Sequence, residues 1–129
     1  MQRVQYILLV VRALWGLAFY DATNALLGFG YIRRQLKGQS PVTRAAASEL
    51  RQAVCNAVLL ATCFYWKPVL CLQRSVCAVR LLRNYGIAAK LVIGYRPAPF
   101  FSHAWVEVDG RVVNGSAGYQ SRMRVLCTV

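Results

Sequence analysis

Two side chains in this sequence can do chemistry together. One is the thiol of Cys71, in Trp66-Lys-Pro-Val-Leu-Cys71-Leu-Gln-Arg-Ser75. The other is the imidazole of His103, in Ser102-His-Ala-Trp-Val-Glu-Val-Asp-Gly110. A thiol acts as a nucleophile when a base takes its proton and a third group orients that base. Of the five cysteines (55, 63, 71, 77 and 127), Cys71 alone follows a break at Pro68 and opens an apolar helical stretch. At a helix N-terminus the unpaired N–H groups and the positive end of the macrodipole favour the thiolate. The same N–H groups can hold an oxyanion. His103 is the chain's one histidine and follows a proline-rich loop at the expected start of a strand, a sheet edge or mouth where a base can meet a thiol. The competing reading is a buried thiol and a structural imidazole.

Strand geometry limits the third member. Asp109 sits six residues beyond His103, roughly 20 Å along an extended chain, and Glu107 is roughly 13 Å away. The returning strand is the better source. A two-residue turn at Asp109-Gly110 pairs Val108 with Arg111, sets Ser116 opposite His103 and makes Asn114 its same-face diagonal neighbour. A three-residue bulged turn puts Gly115 opposite instead and moves the Asn114 side chain to the other face. In the first register Asn114 can accept from the imidazole N–H through its side-chain carbonyl.

The elements that must position these residues follow from periodicity. Residues 5–31 are the most apolar part and read as one or two buried helices, or as a helix lying on a membrane or partner. Arg12 and Asp21 interrupt the run short of a membrane span. Arg33, Arg34 and Lys37 close the block with charge suited to a helix C-terminus. Ser40 and Pro41 suit the start of the next helix, which runs to about Phe64 with Ala46, Leu50, Ala53, Ala57, Leu60 and Ala61 on its stripe. Trp66-Lys67-Pro68 ends it. Residues 71–84 form a helix with Leu72, Val76, Val79 and Leu82 on one stripe and Arg74, Arg80 and Arg83 on other faces, stopped by Gly86. Ile87 to Tyr95 is a strand, Arg96 to Pro99 a loop, and a hairpin turns at Asp109-Gly110. A last strand falls within 123–129. Helices first and an antiparallel sheet after make an α+β domain. It divides into a helical part (1–65) and a part with the cysteine helix and sheet (66–129).

Length and composition agree with one domain of 129 residues. Hydrophobic residues make up 57% and the mean hydropathy is +0.39, so the core is large or some apolar surface meets a partner or membrane. The net charge of +12, from 16 basic and 4 acidic residues, favours an anionic partner. The arginines are scattered without a basic stripe or nucleic-acid motif, which argues against nucleic acid. With no CxxC, one histidine and no secretory signal, the sequence points to reduced thiols in the cytoplasm and to no metal or cofactor. Cys55, Cys63 and Cys77 read as small buried hydrophobes.

The combined pattern Cys71-Leu-x-Arg-Ser, Leu81-Leu-Arg-x-x-Gly86-Ile, Leu91-Val-Ile-Gly94 and Phe100-x-x-His103-Ala-Trp-Val-Glu-x-x-Gly110-x-Val-Val-Asn114 resembles the leader peptidases of lasso-peptide biosynthesis. These belong to the transglutaminase-like branch of papain-type cysteine proteases. The resemblance covers residues 66–116. It implies a papain/transglutaminase-like core with N-terminal helices packed beside a small antiparallel sheet. It implies Cys71 as nucleophile, His103 as base, and cleavage of the leader segment from a ribosomally made precursor peptide. It also implies two partners: a separate leader-recognition protein, since no added recognition domain is evident, and a lasso cyclase similar to asparagine synthetases. The family often carries an aspartate directly after the asparagine; this chain has Gly115, so Asn114 is the candidate for the third role. Acyl transfer to an amine shares the same acyl-enzyme, and a non-catalytic basic scaffold binding peptide or membrane is the remaining alternative.

Overall fold

A computed structural model describes residues 3–38, 48–97, 100–108, 110–113 and 123–129. Four helices precede the sheet: α1 (Arg3–Leu27), α2 (Phe29–Gly38), α3 (Ser48–Phe64) and α4 (Cys71–Asn84). Strands β1 (Ala89–Pro97), β2 (Phe100–Val108), β3 (Arg111–Val112) and β4 (Arg124–Thr128) form one antiparallel sheet in the order β3-β2-β1-β4. The α+β class expected from the element order is what the chain adopts.

The centre of the fold is α4. Eight of its residues, Gln73, Ser75, Val76, Cys77, Ala78, Val79, Leu81 and Leu82, are buried. It packs on α1, α3, β1 and β2, so it needs more than the single apolar stripe that its sequence suggests. Leu72, expected on that stripe, is only partly buried. On the α1 side the approach is close enough that a Cβ at Gly16 would lie 2.8 Å from the Cys77 sulfur. The Cys77 thiol donates to the Ala13 carbonyl at 3.4 Å, and burial pushes its pKa up to about 12.

Gly86 ends α4 as expected. At φ 79° it carries the chain through the left-handed region, the Ile87 N–H bonds the Leu82 carbonyl and the Gly86 N–H bonds that of Arg83. This is the Schellman pattern, sealed by the burial of Leu82 and Ile87.

The structure departs from the sequence reading in several places, and one expectation falls outside the described residues. The apolar run of 5–31 forms two helices, one of the expected arrangements, divided at Gly28 (φ 78°), but the outer face of α1 is exposed rather than buried. The helix expected from Ser40 begins, within the described residues, at Ser48; Ser40, Pro41 and Ala46 lie outside them. Its inner face is Val54, Ala57, Val58 and Ala61, with Leu50 and Ala53 packed against the core as the stripe suggested; Leu60 alone among the described stripe residues turns outward, 38% exposed. Cys63 lies on the outer face and is exposed, and Cys55 is only half-buried. Finally, β1 runs on through Arg96 and Pro97, where the missing N–H of proline is tolerated at a strand end. The hairpin is therefore longer than expected, and His103 is the fourth residue of β2 rather than its first.

Two arginines expected on solvated faces are ties inside the fold. Arg80 donates to Gln35 of α2. Arg83 donates to the carbonyls of Leu36 (2.7 Å), Ala89 (3.0 Å) and Val129 (3.2 Å), joining α2, the start of β1 and the C-terminal end to α4. Burial lowers its pKa. A planar fork meets three divergent acceptors where an ammonium cannot. Arg83→Lys should lower the unfolding free energy by about 2–3 kcal/mol, read from the urea midpoint. Exposed Arg33→Ala should stay within about 0.5 kcal/mol.

Candidate active site

Cys71 is the first residue of α4 and is half-buried. The residue before it, Leu70, has extended backbone (φ −81°, ψ 163°) and offers no side-chain cap. Its carbonyl accepts from the Arg74 N–H at 3.1 Å, closing the first turn. No acidic residue stands in that turn. The first N–H groups of α4 are thus left without an intrahelical acceptor or a capping side chain beside the thiol, the arrangement that stabilises negative charge on sulfur or on a carbonyl oxygen under attack.

The approach to Cys71 is held by Asp21 of α1, a residue that the sequence reading treated only as an interruption. Its carboxylate accepts from the Tyr65 hydroxyl and pairs with Lys67 Nζ at 2.7 Å. Burial alone would raise the Asp21 pKa; hydrogen bonds from Lys67, Tyr65 and Gln73, with the Lys67 charge, outweigh it and hold it below the ordinary value. Gln73, one turn into α4, donates to the Leu17 carbonyl at 3.0 Å. The segment between α3 and α4 is therefore pinned on α1 from both sides of the cysteine.

His103 stands on β2 opposite Gly94. Its ring shares a face with Phe101 and Trp105, stacking at centroid distances of 6.4 and 6.1 Å. The alternate residues Ala104, Val106 and Val108 take the face buried with α4. Gly94 is required here: a Cβ would lie 2.6 Å from the Trp105 ring. The helix meets β2 at its outer edge, where Ser75 Oγ donates to the Ala104 carbonyl at 3.2 Å. Cys71 is one helical turn before Ser75 and on the same face of α4. Cys71 and His103 thus flank one helix–strand contact in sequence, with the imidazole on the face of β2 opposite Ala104. The thiol hydrogen bonds among the described residues are those of Cys63 and Cys77; none joins Cys71 to His103. Such contacts commonly tighten only when substrate is bound.

Arg74 is the site residue that the sequence left unassigned. Lying three residues after Cys71, its charge bears on His103, whose pKa is lowered first by burial and then by this cation. It also lines a cleft of about 470 Å³ with Arg51, Gln52 and Asn56 of α3, Val112 of β3 and Val113, and its Nε is buried without a partner. Its sequence signal was its place in the Cys71-Leu-x-Arg-Ser pattern.

The hairpin has the register of a two-residue turn, with Val108 opposite Arg111, Glu107 opposite Val112 and Gly110 at φ 75°. The Val113 N–H continues it onto the Val106 carbonyl. Asp109, Asn114, Gly115 and Ser116 lie outside the described residues.

A lowered His103 pKa means a neutral ring at pH 7, able to accept a proton. As the chain's one histidine, it gives a single ring Cε1–H resonance. Followed by NMR, that resonance should titrate below the ordinary 6.5, and Arg74→Gln should move the midpoint upward. A midpoint at or above 6.5 in the unaltered protein would contradict this account of the ring.

Known proteins match this arrangement at two levels. The family model of the transglutaminase-like superfamily matches residues 13–128, nearly the whole chain. The microcin J25-processing protein McjB of Escherichia coli is 41% identical over 59 residues, which is 46% of this chain and 28% of that protein's length. No solved structure matches. With a helix led by cysteine, a histidine strand at its edge and a family match that takes in all the helices and strands from the middle of α1 onward, the chain belongs to the transglutaminase-like superfamily.

Proposed function

We propose that this chain is a cysteine peptidase that removes the leader segment from a lasso-peptide precursor. The observation that carries the reading is the junction of α4 and β2. There Cys71 opens α4 one turn before Ser75, whose hydroxyl donates to the Ala104 carbonyl, and His103, with a lowered pKa, directly precedes Ala104 on β2. The likeness to the microcin-processing protein supports the pathway.

In this mechanism the Cys71 thiol loses its proton to His103 as sulfur attacks the scissile carbonyl. The first N–H groups of α4 stabilise the oxyanion. The imidazolium then protonates the leaving amine, and the C–N bond breaks to leave an acyl-enzyme. Water, deprotonated by His103, releases the leader as a carboxylate and restores the thiol. Asn114 is assigned the orienting role, holding the imidazole by accepting from its N–H. The cleft beside Arg74 takes the peptide. A precursor peptide, a separate leader-recognition protein and a lasso cyclase complete the set of partners, in the cytoplasm.

The test uses the precursor with its recognition protein and mass spectrometry of the product. Cys71→Ala and His103→Ala should each slow leader release roughly a thousandfold or more with unchanged circular dichroism. Undiminished cleavage in either variant would sink the peptidase reading, and a cross-linked rather than shortened peptide would reassign the chemistry to acyl transfer. Asn114→Ala should slow cleavage more than Asp109→Ala; the reverse order would take the orienting role from Asn114.

A further inference from the structure

The outer face of α1 has no role in the site. Val4, Ile7, Leu8, Val11, Trp15, Phe19 and Leu26 are all exposed, from 42% at Val11 to 82% at Leu26. With the exposed Ala18, Ala22 and Ala25 between them, they recur at three- and four-residue steps. At 100° per residue they fill one face about a third of the helix circumference wide and roughly 33 Å long. No charged residue falls within it. Contiguous apolar surface of this extent marks a docking face.

We infer that this face lies flat on an anionic lipid surface. α1 is long and apolar enough to cross a bilayer by length and composition. Its other side, however, is committed: Leu9, Ala13, Leu17 and Tyr20 are buried in the core with α3 and α4. Crossing would tear that core open, whereas lying in the interface leaves it intact.

Charge selects the kind of surface. Residues 3–38 hold five basic side chains (Arg3, Arg12, Arg33, Arg34 and Lys37) and one acidic, Asp21, which is already paired with Lys67. Arg12 is exposed at the border of the stripe, and Arg80 stands over the Phe19 ring at 5.0 Å. Arg33, Arg34 and Lys37 are exposed on α2 immediately after the turn at Gly28. A second copy on this face would bring a further +12 against the first. A protein partner ordinarily makes about one hydrogen bond per 100–200 Å² of interface. The stripe offers no polar side-chain atom besides the indole N–H of Trp15, a group suited to the headgroup boundary. Acyl chains below and phosphate headgroups around the rim match both features.

Vesicle flotation tests this without reference to peptidase activity. The intact chain should float with phosphatidylcholine vesicles containing phosphatidylglycerol, and at least roughly tenfold less with phosphatidylcholine alone. Leu8→Glu and Trp15→Glu, both exposed and so compatible with folding (checked by circular dichroism), should each cut binding roughly tenfold or more. In a Trp66→Phe background, Trp15 emission should shift to the blue on adding the anionic vesicles; Trp105 is buried and should not respond. The inference is overturned if the intact chain stays unbound, if both variants float as well as it does, or if light scattering finds a dimer that Trp15→Glu dissolves.

Discussion

The site depends on burying α4 on nearly every side. A helix packed only on a sheet can rotate or slide; one held by α1, α3, β1 and β2 has few freedoms left. The remaining ones are removed by polar ties at both ends. Ser75 fixes the first turns to the edge of β2 through the Ala104 carbonyl, and Arg83 fixes the last turn to three separate carbonyls. A nucleophile at the first residue of such a helix inherits its rigidity, which is what orientation-dependent catalysis requires. Asp21 completes the arrangement from outside the helix by pinning Tyr65 and Lys67, so that the chain enters α4 along a set path.

Local signals in the sequence were enough where local physics decides. The limits of α4 follow from Pro68 and from Gly86, whose left-handed backbone is set by the absence of a side chain. The Asp109-Gly110 dipeptide announced a hairpin and left two registers open; the pairing of Val108 with Arg111 is that of the two-residue turn. Other features depended on contacts between distant segments. Nothing local distinguishes Arg83, which spans α2, β1 and the C-terminal end, from a solvated arginine on a helix. The outward exposure of α1 was one of two readings left open, because a helix apolar on two faces looks the same in sequence whether one face or both are buried. The position of His103 within β2, rather than at its start, depended on whether Arg96-Pro97 would pair across the hairpin, which they do with Phe101 and Phe100.

The electrostatics of the site come from charge that the rest of the fold leaves unneutralised. With 16 basic and 4 acidic residues, most cations have no carboxylate to meet. Arg74 has no ion pair among the described residues, and its charge is felt by the imidazole. The net charge that a composition reading assigns to partners therefore also acts inside the site, by disfavouring a second positive charge on the ring.

Gly94 gives the sheet an unusual chain of command. Because β1 offers no side chain opposite His103, the indole of Trp105 closes over the vacant position and supplies the aromatic plane beside the imidazole. The posture of the ring is thus governed by an atom that is missing from the neighbouring strand. Even one methyl group added there would press on the indole and, through it, re-aim the imidazole.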